Sequence, residues 1–336
     1  MNEDIPHPRE VFAFSGGEGV ERAILDALAR GRLHHAWLLT GAEGSGKATF
    51  AYRAARRLLG AAADPALGPL GSRPDDPICR QIRARAHPDL LVLQRDTEDG
   101  KTRKGISVED ARALPEFFAK TPAVAPYRVA IIDAADDLNT HAANAVLKTL
   151  EEPPERGVIF LVSHAPGSLL PTLRSRCRRL RFFPPPKETA VAWLTDRAGL
   201  DEDEARRLLA MAGGAPGRAW RLAIAGALDL DRIAHDILTA LPQTDDVAMV
   251  ALAESFRGAS GAARFDLLMD RLADRIHTMA GAEALTGNGD GGGGEALDSW
   301  AEAWEMLVES PRAAEAVNLD RADVFFTALS RLREIA

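Results

Sequence analysis

The sequence predicts an α/β protein in which a parallel sheet carries a phosphate-binding loop and is followed by helical regions. Short apolar strands alternate with amphipathic helices over the first 185 or so residues. A glycine-rich loop follows the first strand directly, and the pattern after three consecutive prolines at 184–186 is almost wholly helical. Because parallel strands are joined by helical crossovers, we expect helices on both faces of this sheet.

Apolar spacing and end signals predict each element in turn. Strands are predicted over 36–40, 90–93, 129–133, 158–163 and 179–183. Helices are predicted over 20–31, from the glycine-rich loop to about 59, from Ser107, and over 139–152. Ser107 and Asp110 have the spacing of a capping box, and Pro153 ends the fourth helix. Residues 61–77 are predicted to form a loop because they are rich in Pro, Gly, Ala and Asp.

Composition and charge limit the function classes. The chain has 336 residues, 46% hydrophobic and 27% charged, which is typical of a globular protein of two or three domains. A formal net charge of −8 does not favour wholesale wrapping of nucleic acid. Any nucleic-acid contact would come from a local basic segment within residues 174–181, which contains Arg174, Arg176, Arg178, Arg179 and Arg181.

The chain shows no signal for export or membrane insertion. Its two cysteines, Cys79 and Cys177, cannot form a disulfide framework and indicate a reducing compartment. The first residues lack the basic and apolar stretches of a secretion signal, and no apolar run reaches membrane-spanning length. We therefore expect a cytoplasmic protein without a membrane partner.

The loop at 41–47 matches the first seven positions of the phosphate-binding pattern GxxxxGK[ST]. Gly41, Gly44 and Gly46 allow backbone N–H groups to surround phosphate oxygens, and Lys47 adds a positive charge. Ala48 stands where the pattern requires Ser or Thr, whose hydroxyl would hold Mg²⁺. The sequence thus predicts a loop poorly suited to hydrolysing a nucleotide.

A second departure follows the strand at 129–133. This strand ends in Asp133, as expected for the strand that accompanies a phosphate-binding loop. The next residue is Ala134, where a hydrolysing site would carry a glutamate to orient water. Asp136 and Asp137 are predicted to lie too far along to reach the same strand end. Both missing groups act on the γ-phosphate, so the pattern favours a degenerate nucleotide site.

Three further strings resemble one family. HHAWLL at 34–39 leads into the loop, NAVLKTLEEPP occupies 144–154, and SRC at 175–177 follows the strand at 158–163. Together they resemble the AAA+ clamp-loader subunits of bacterial DNA polymerase III. The resemblance implies a RecA-like AAA+ domain at 1–185, a helical lid at 186–230 and a helical collar that assembles with other subunits at 231–336.

Within that family the residues favour the delta-prime class over the gamma/tau motors, because Ala48 and Ala134 replace groups that motors retain. The resemblance implies a role in DNA replication with no independent enzymatic activity and no required cofactor. The implied partners are gamma/tau, delta, the beta sliding clamp and primer–template DNA. Two alternatives remain open: an active motor ATPase, and a stand-alone DNA-binding protein that uses residues 174–181.

By resemblance, Arg176 is an arginine finger, a side chain donated to the ATP of a neighbouring motor subunit. A planar, permanently charged guanidinium suits developing γ-phosphate charge. Spacing alone would make Arg176 one exposed arginine of a solvated basic strand; the frame of Ser175 and Cys177 favours the finger. Ser175 is expected to hydrogen-bond locally and Cys177 to pack.

The degenerate nucleotide site is predicted to comprise Gly41, Gly44, Gly46, Lys47, Asp133 and Ser163. Lys47 has two interpretations: nucleotide binding (ATP or ADP) without turnover, or a loop that binds no anion; we favour the second. Ser163 lies where relatives sense the γ-phosphate, but a solvent-facing serine explains it equally well. Arg218 lies in a segment similar to a second sensor motif but one position out of register with the motor pattern, so we assign it no strong role.

Two other patterns have simpler explanations. Cys79 matches one position of a four-cysteine zinc module of this family, but Arg73 and Asp76 stand at the partner positions. We therefore predict no zinc and no other metal. Arginines at 53, 56 and 57 have helical spacing that would suit template DNA, although a solvated helix face is the commoner explanation. The glycine-rich segment 287–294 is predicted to be a flexible loop.

Overall fold

A computed structural model gives the architecture of the chain. It describes residues 5–14, 16–95, 97–98, 101–103, 105–286 and 293–335. The chain divides into two compact units, Met1–Trp220 and Arg221–Ala336. The domain boundaries predicted at 185 and 230 remain a prediction.

The first unit contains a five-stranded parallel sheet, as the alternation of strands and helices predicted. The strands are β1 (Ala36–Thr40), β2 (Leu90–Gln94), β5 (Arg128–Asp133), β6 (Gly157–Ser163) and β7 (Arg178–Arg181), in the order β2-β5-β6-β1-β7. A separate two-stranded hairpin pairs β3 (Thr97–Glu98) with β4 (Lys101–Thr102). Thr40 lies beside Ser163, and Asp133 lies beside Val162. The carboxyl ends of β1, β6 and β5 therefore meet at one edge of the sheet.

Nine α-helices complete the described part of this unit. They are α1 (Glu18–Ala29), α2 (Lys47–Leu58), α3 (Pro77–Arg83), α4 (Val108–Phe118), α5 (Thr140–Glu151), α6 (Pro171–Ser175), α7 (Lys187–Ala198), α8 (Glu202–Met211) and α9 (Pro216–Ile224), the last of which crosses into the second unit. Ser107 and Asp110 form the predicted capping box at α4, and Asn139 caps α5 through the Ala142 N–H. Helices α3 and α6 were not predicted.

Alternate side chains of each strand point to opposite faces of the sheet, and each face is covered by helices. On one face, Trp37, Leu39 and Phe160 pack with residues of α1 and α2. On the other face, strand residues pack with α4, α5 and α6. The helix residues in this core include Leu114, Val146, Leu150 and Leu173. Since both faces are apolar, functional groups at the sheet are confined to its edges.

Two of the three arginines on α2 are buried, so for both of them the solvated-face explanation and the suggestion that they face DNA are wrong. Arg53 and Arg56 are 1% and 0% exposed. Arg53 pairs with the buried Glu21 at 2.5 Å and also donates to the Phe12 and Leu67 carbonyls. Arg56 donates to the Val11 and Arg9 carbonyls, and its burial lowers its pKa to about 10. These arginines hold the N-terminal segment against α2.

The second unit is entirely helical in its described part. Its helices are α10 (Ala227–Ala240), α11 (Asp246–Glu254), α12 (Gly258–Thr286), α13 (Gly293–Val317) and α14 (Arg321–Ile335). Their shared core contains Phe256, Phe265 and Phe325 in edge-to-face contact. Of the glycine-rich loop predicted over 287–294, residues 287–292 lie outside the described residues, and Gly293 and Gly294 begin α13 instead of belonging to a loop. No described helix is both long and apolar enough to cross a membrane.

Candidate functional site at the carboxyl edge of the sheet

The fold brings the predicted nucleotide-site residues together at the carboxyl edge of the sheet. The glycine-rich loop leaves β1 after Thr40 and ends in α2, which begins at Lys47. Ser163 ends β6, directly beside Thr40, and Asp133 ends β5. This is the edge at which open parallel sheets bind ligands.

The side chain of Lys47 hydrogen-bonds to the backbone of its own loop. Its side chain is buried, and Nζ donates to the carbonyls of Gly41 at 2.7 Å and Ala42 at 2.6 Å. Gly44 and Gly46 have φ of +75° and +86°, so the loop depends on glycine at both positions. The ammonium is thus already within hydrogen-bonding distance of two acceptors of the chain itself.

Helix α9 begins directly against the loop. The Gly217 N–H donates to the Gly44 carbonyl at 3.0 Å. A Cβ built on Gly44 would lie 2.1 Å from the Arg218 backbone nitrogen, so the two backbones are in close contact. The backbone of the Arg218 segment therefore contacts the loop, although no strong role was predicted for Arg218.

Ser163 is fully buried, so the solvent-facing interpretation is wrong. Its Oγ donates to Oδ1 of Asp136 at 2.8 Å. The same carboxylate accepts from the backbone N–H groups of His164 and Ala165 at 2.6 and 3.1 Å. Asp136, which was predicted to lie too far along the chain to share the end of β5 with Asp133, instead contacts the end of β6 from the 3-10 turn after β5.

The groups that would act on a γ-phosphate are methyl groups in this chain. Ala48 packs against the core that covers α2, and Ala134 is 6% exposed. The Ser45 hydroxyl is the one buried side-chain oxygen of the loop without a hydrogen-bond partner in the described part of the chain. The loop therefore keeps the glycines and lysine of a phosphate-binding loop and lacks a side-chain ligand for Mg²⁺ at position 48.

Arg176 lies at the opposite edge of the same sheet. It caps the C-terminus of α6, two residues before β7 begins at Arg178, and Arg178 lies beside Trp37 near the start of β1. The phosphate-binding loop begins at Gly41, four residues beyond Trp37. At roughly 3.3 Å per residue, about 13 Å of strand separates the start of β7 from that loop.

The Arg176 guanidinium is held on two sides and remains partly exposed. Nη2 pairs with Oε1 of Glu151 at 2.8 Å, and Nη1 donates to the Thr172 carbonyl at 3.0 Å. The side chains of Arg176 and Glu151 are 36% and 53% exposed. Three of the five guanidinium N–H groups are not used by these two contacts.

The two residues that frame Arg176 have local roles. Ser175 Oγ donates to the Thr172 carbonyl at 3.0 Å, which closes the last turn of α6. Cys177 packs against the core under α5 and α6, and burial raises the pKa of its thiol to about 12. A thiol with this pKa stays protonated near neutral pH, so Cys177 is suited to packing and not to nucleophilic chemistry.

The described residues contain no group of three or more His, Cys, Asp or Glu side chains arranged to hold a metal ion. Cys79 is buried, and its Sγ lies 3.4 Å from the Ser72 hydroxyl.

Asp89 accepts from three backbone N–H groups at 123–125 and pairs with Arg128. Burial alone would raise the pKa of Asp89, but these partners lower it. The carboxylate therefore fastens the 123–125 turn.

Three residues that contact the phosphate-binding loop region or Arg176 were not predicted from the sequence. Asp136 binds the end of β6, Gly217 contacts the loop, and Glu151 holds Arg176. Glu151 lies within the string that carried the family resemblance, but nothing in the sequence indicates which side chain it meets. The chain thus presents a nucleotide-type loop at one edge of the sheet and a tethered, partly exposed arginine at the other.

Comparison with known proteins identifies relatives. Residues 18–186 match the family model described as DNA polymerase III, delta subunit. The chain is 34% identical over 239 residues to DNA polymerase III subunit delta′ of Pseudomonas aeruginosa, covering 70% of each protein. It is 35% identical over 194 residues to the Escherichia coli delta′ subunit, covering 57% of this chain and 55% of that protein.

Motor-type subunits are also similar. The chain is 32% identical over 207 residues to the gamma/tau subunit of Mycobacterium bovis, covering 60% of this chain and 34% of that protein. Among solved structures, a gamma subunit-related protein from Thermotoga maritima aligns over 95% of this chain and 99% of its own, with 18% identity and a TM-score of 0.46.

Proposed function

The chain belongs to the delta-prime family of DNA polymerase III subunits, and from this premise we propose that it acts in a clamp loader as a subunit that hydrolyses no ATP itself. It joins gamma/tau motor subunits, as the names of its relatives suggest. Delta, the beta sliding clamp and primer–template DNA complete the proposed set of partners. Its own contribution to hydrolysis is Arg176, supplied to the ATP of a neighbouring motor.

The position of Arg176 carries this proposal. The Arg176 backbone precedes β7 at the amino edge of the sheet, and about 13 Å of strand separates the start of β7 from the chain's own phosphate-binding loop. An arginine at that distance cannot meet a phosphate bound at Lys47, so any role in ATP hydrolysis must be on another subunit. Partial exposure leaves the guanidinium accessible to such a subunit.

The chain's own phosphate-binding loop also lacks groups that ATP hydrolysis requires. Position 48 offers no ligand for Mg²⁺, and position 134 offers no carboxylate to orient water. Lys47 donates to two loop carbonyls, and the Ser163 hydroxyl donates to Asp136. A nucleotide at this edge would have to displace these contacts and would still lack both catalytic groups.

The test is the substitution Arg176→Ala in the reconstituted complex, with Arg179→Ala as the matched control. Arg179 is also exposed, lies three residues away and carries the same charge. An arginine finger is worth roughly 10³–10⁵ in rate at the site it serves. Because the other ATP sites keep their own arginines, the ATPase of the whole complex falls by less than this factor. We expect the DNA-stimulated rate to fall at least about twofold with Arg176→Ala and to stay unchanged with Arg179→Ala.

Complex formation is checked by gel filtration before the rates are compared. An Arg176→Ala complex that hydrolyses ATP at the wild-type rate would exclude the arginine finger. Clear ATP turnover by the isolated chain would instead favour the active motor ATPase that remained as an alternative.

One observation favours a second candidate function, direct DNA binding by the isolated chain. The edge strand β7 exposes Arg178, Arg179 and Arg181, and the Arg181 guanidinium stacks on the exposed Phe183 ring. Exposed arginines beside an aromatic ring suit single-stranded nucleic acid. Salt-sensitive binding of primed DNA by the isolated chain, lost on Arg181→Ala, would support this function; binding seen only in the assembled complex would exclude it.

A further inference from the structure

The contact between Glu151 and Arg176 joins the two helices that flank the proposed arginine finger. Glu151 is the last residue of α5, and Arg176 directly follows α6. Their ion pair measures 2.8 Å between Glu151 Oε1 and Arg176 Nη2. The second terminal nitrogen of Arg176 donates to the Thr172 carbonyl of α6. The guanidinium is therefore restrained from two different elements.

Both partners stand on anchored helices. Leu150, adjacent to Glu151, is 3% exposed in the core, and Leu173 of α6 is 1% exposed in the same core. Asn139 caps the start of α5, and Pro153 lies just past its end. The position of Glu151 relative to Arg176 is thus set by packing and not by the two side chains alone.

The contact restrains the guanidinium without using up its donors. A guanidinium carries five N–H groups in one plane, and two of them account for the contacts with Glu151 and Thr172. Fixing the plane at both terminal nitrogens directs the other N–H groups, and orientation of this kind is what makes a bidentate phosphate contact effective.

We propose that Glu151 is a positioning residue for Arg176, which orients the guanidinium for the γ-phosphate of a neighbouring subunit. This inference rests on the proposed function of Arg176 in trans. Glu151 itself touches no nucleotide and takes no part in proton transfer. Its effect is to limit the rotamers that Arg176 explores before a neighbour docks.

The experiment is a pair of substitutions in the reconstituted complex, Glu151→Ala and Arg176→Ala, measured singly and together. The rate that depends on Arg176 is the difference between the wild-type and Arg176→Ala rates. Because both side chains are partly exposed, the ion pair is of modest strength. We therefore expect Glu151→Ala to lower the Arg176-dependent part of the ATPase rate about two- to fivefold. The loss should appear in kcat while KM for ATP stays within about twofold, as expected for an interaction made in the transition state.

Controls separate positioning from a general effect. Glu152→Ala removes a neighbouring exposed carboxylate and should leave the rate unchanged. Glu151→Gln keeps one acceptor oxygen and should give an intermediate rate. Thermal unfolding of the isolated Glu151→Ala chain should match wild type, because exposed substitutions change stability little.

The outcomes are distinguishable. In the Arg176→Ala background, Glu151→Ala should change nothing further; an equal loss in both backgrounds, or no loss in either, overturns the positioning role. If Arg176→Ala itself leaves the rate unchanged, the arginine finger fails first, and the role of Glu151 fails with it.

Discussion

Lys47 and Arg176 are both positively charged, but their surroundings suit them to different tasks. Lys47 is 2% exposed and donates to carbonyls of its own loop. Arg176 is held by one carboxylate and one carbonyl and keeps a partly exposed side chain. A buried lysine committed to its own loop stabilises a turn, whereas an exposed guanidinium with spare donors is available to a partner.

The buried arginines of α2 stabilise the fold. Arg53 and Glu21 are each 1% exposed, and the Arg53 guanidinium also donates to two backbone carbonyls. Helical spacing could not reveal this, because spacing gives the face on which a residue lies but not what covers that face. In this chain the N-terminal segment covers it.

Arg53→Ala should therefore act on stability. Removing one partner of a buried pair leaves Glu21 uncompensated, and we expect the free energy of unfolding to fall by about 3–5 kcal/mol. Chemical denaturation measures the change. The matched control is Arg22→Ala, which breaks an exposed pair with Glu18 and should cost about 0.5 kcal/mol or less. A stable Arg53→Ala chain that loses DNA binding would restore the DNA-facing interpretation.

At the scale of elements, the first turn of α9 and the phosphate-binding loop form one contact. Gly217 donates to the Gly44 carbonyl, and Gly44 has a φ of +75°. The approach is close enough that no side chain fits between the two backbones. We infer that α9 stabilises the loop by this contact.

Gly44→Ala tests this contact. An alanine would incur the cost of a left-handed backbone and place its Cβ 2.1 Å from the Arg218 nitrogen. We expect the free energy of unfolding to fall by about 2 kcal/mol or more. Gly19→Ala is the control, because Gly19 lies in α1 with nothing within 4 Å of its Cβ position, and alanine favours a helix. Equal stability of the two variants would contradict the close contact.

Element boundaries show what the sequence could and could not predict. Buried parallel strands appear as apolar runs, so all five strands of the sheet were found, and the capping box at Ser107 predicted the start of α4. Helices α3 and α6 were missed because seven and five residues are too few to show helical periodicity. Strand β7 was predicted to begin one residue and to end two residues too late, since pairing with β1 decides where an edge strand begins and ends.

The site was predicted in the same uneven way. The glycine-rich motif located the loop, and strand ends located Asp133 and Ser163. Asp136 and Glu151 were not predicted, because the partner of a carboxylate depends on tertiary packing and leaves no mark in local sequence. Sequence motifs therefore identified which groups were present, and the fold was needed to show that the loop and Arg176 lie at opposite edges of one sheet.

At the scale of the whole molecule, two compact units have different chemistry. The first, Met1–Trp220, carries the loop, Arg176 and the basic edge strand. The second, Arg221–Ala336, is helical where the structure describes it, with a core rich in Phe and Leu. We propose that the second unit is the collar through which the subunit assembles, as family membership suggests.

We propose that the chain contributes an arginine to another subunit's ATP and needs no nucleotide at its own loop. Steady-state ATP hydrolysis by the reconstituted complex on primed DNA decides it when two variants of this chain are compared, Lys47→Met and Arg176→Ala. We expect Lys47→Met to keep the wild-type rate within about twofold and Arg176→Ala to lower it by more than that. A complex slowed by Lys47→Met and untouched by Arg176→Ala would contradict the claim.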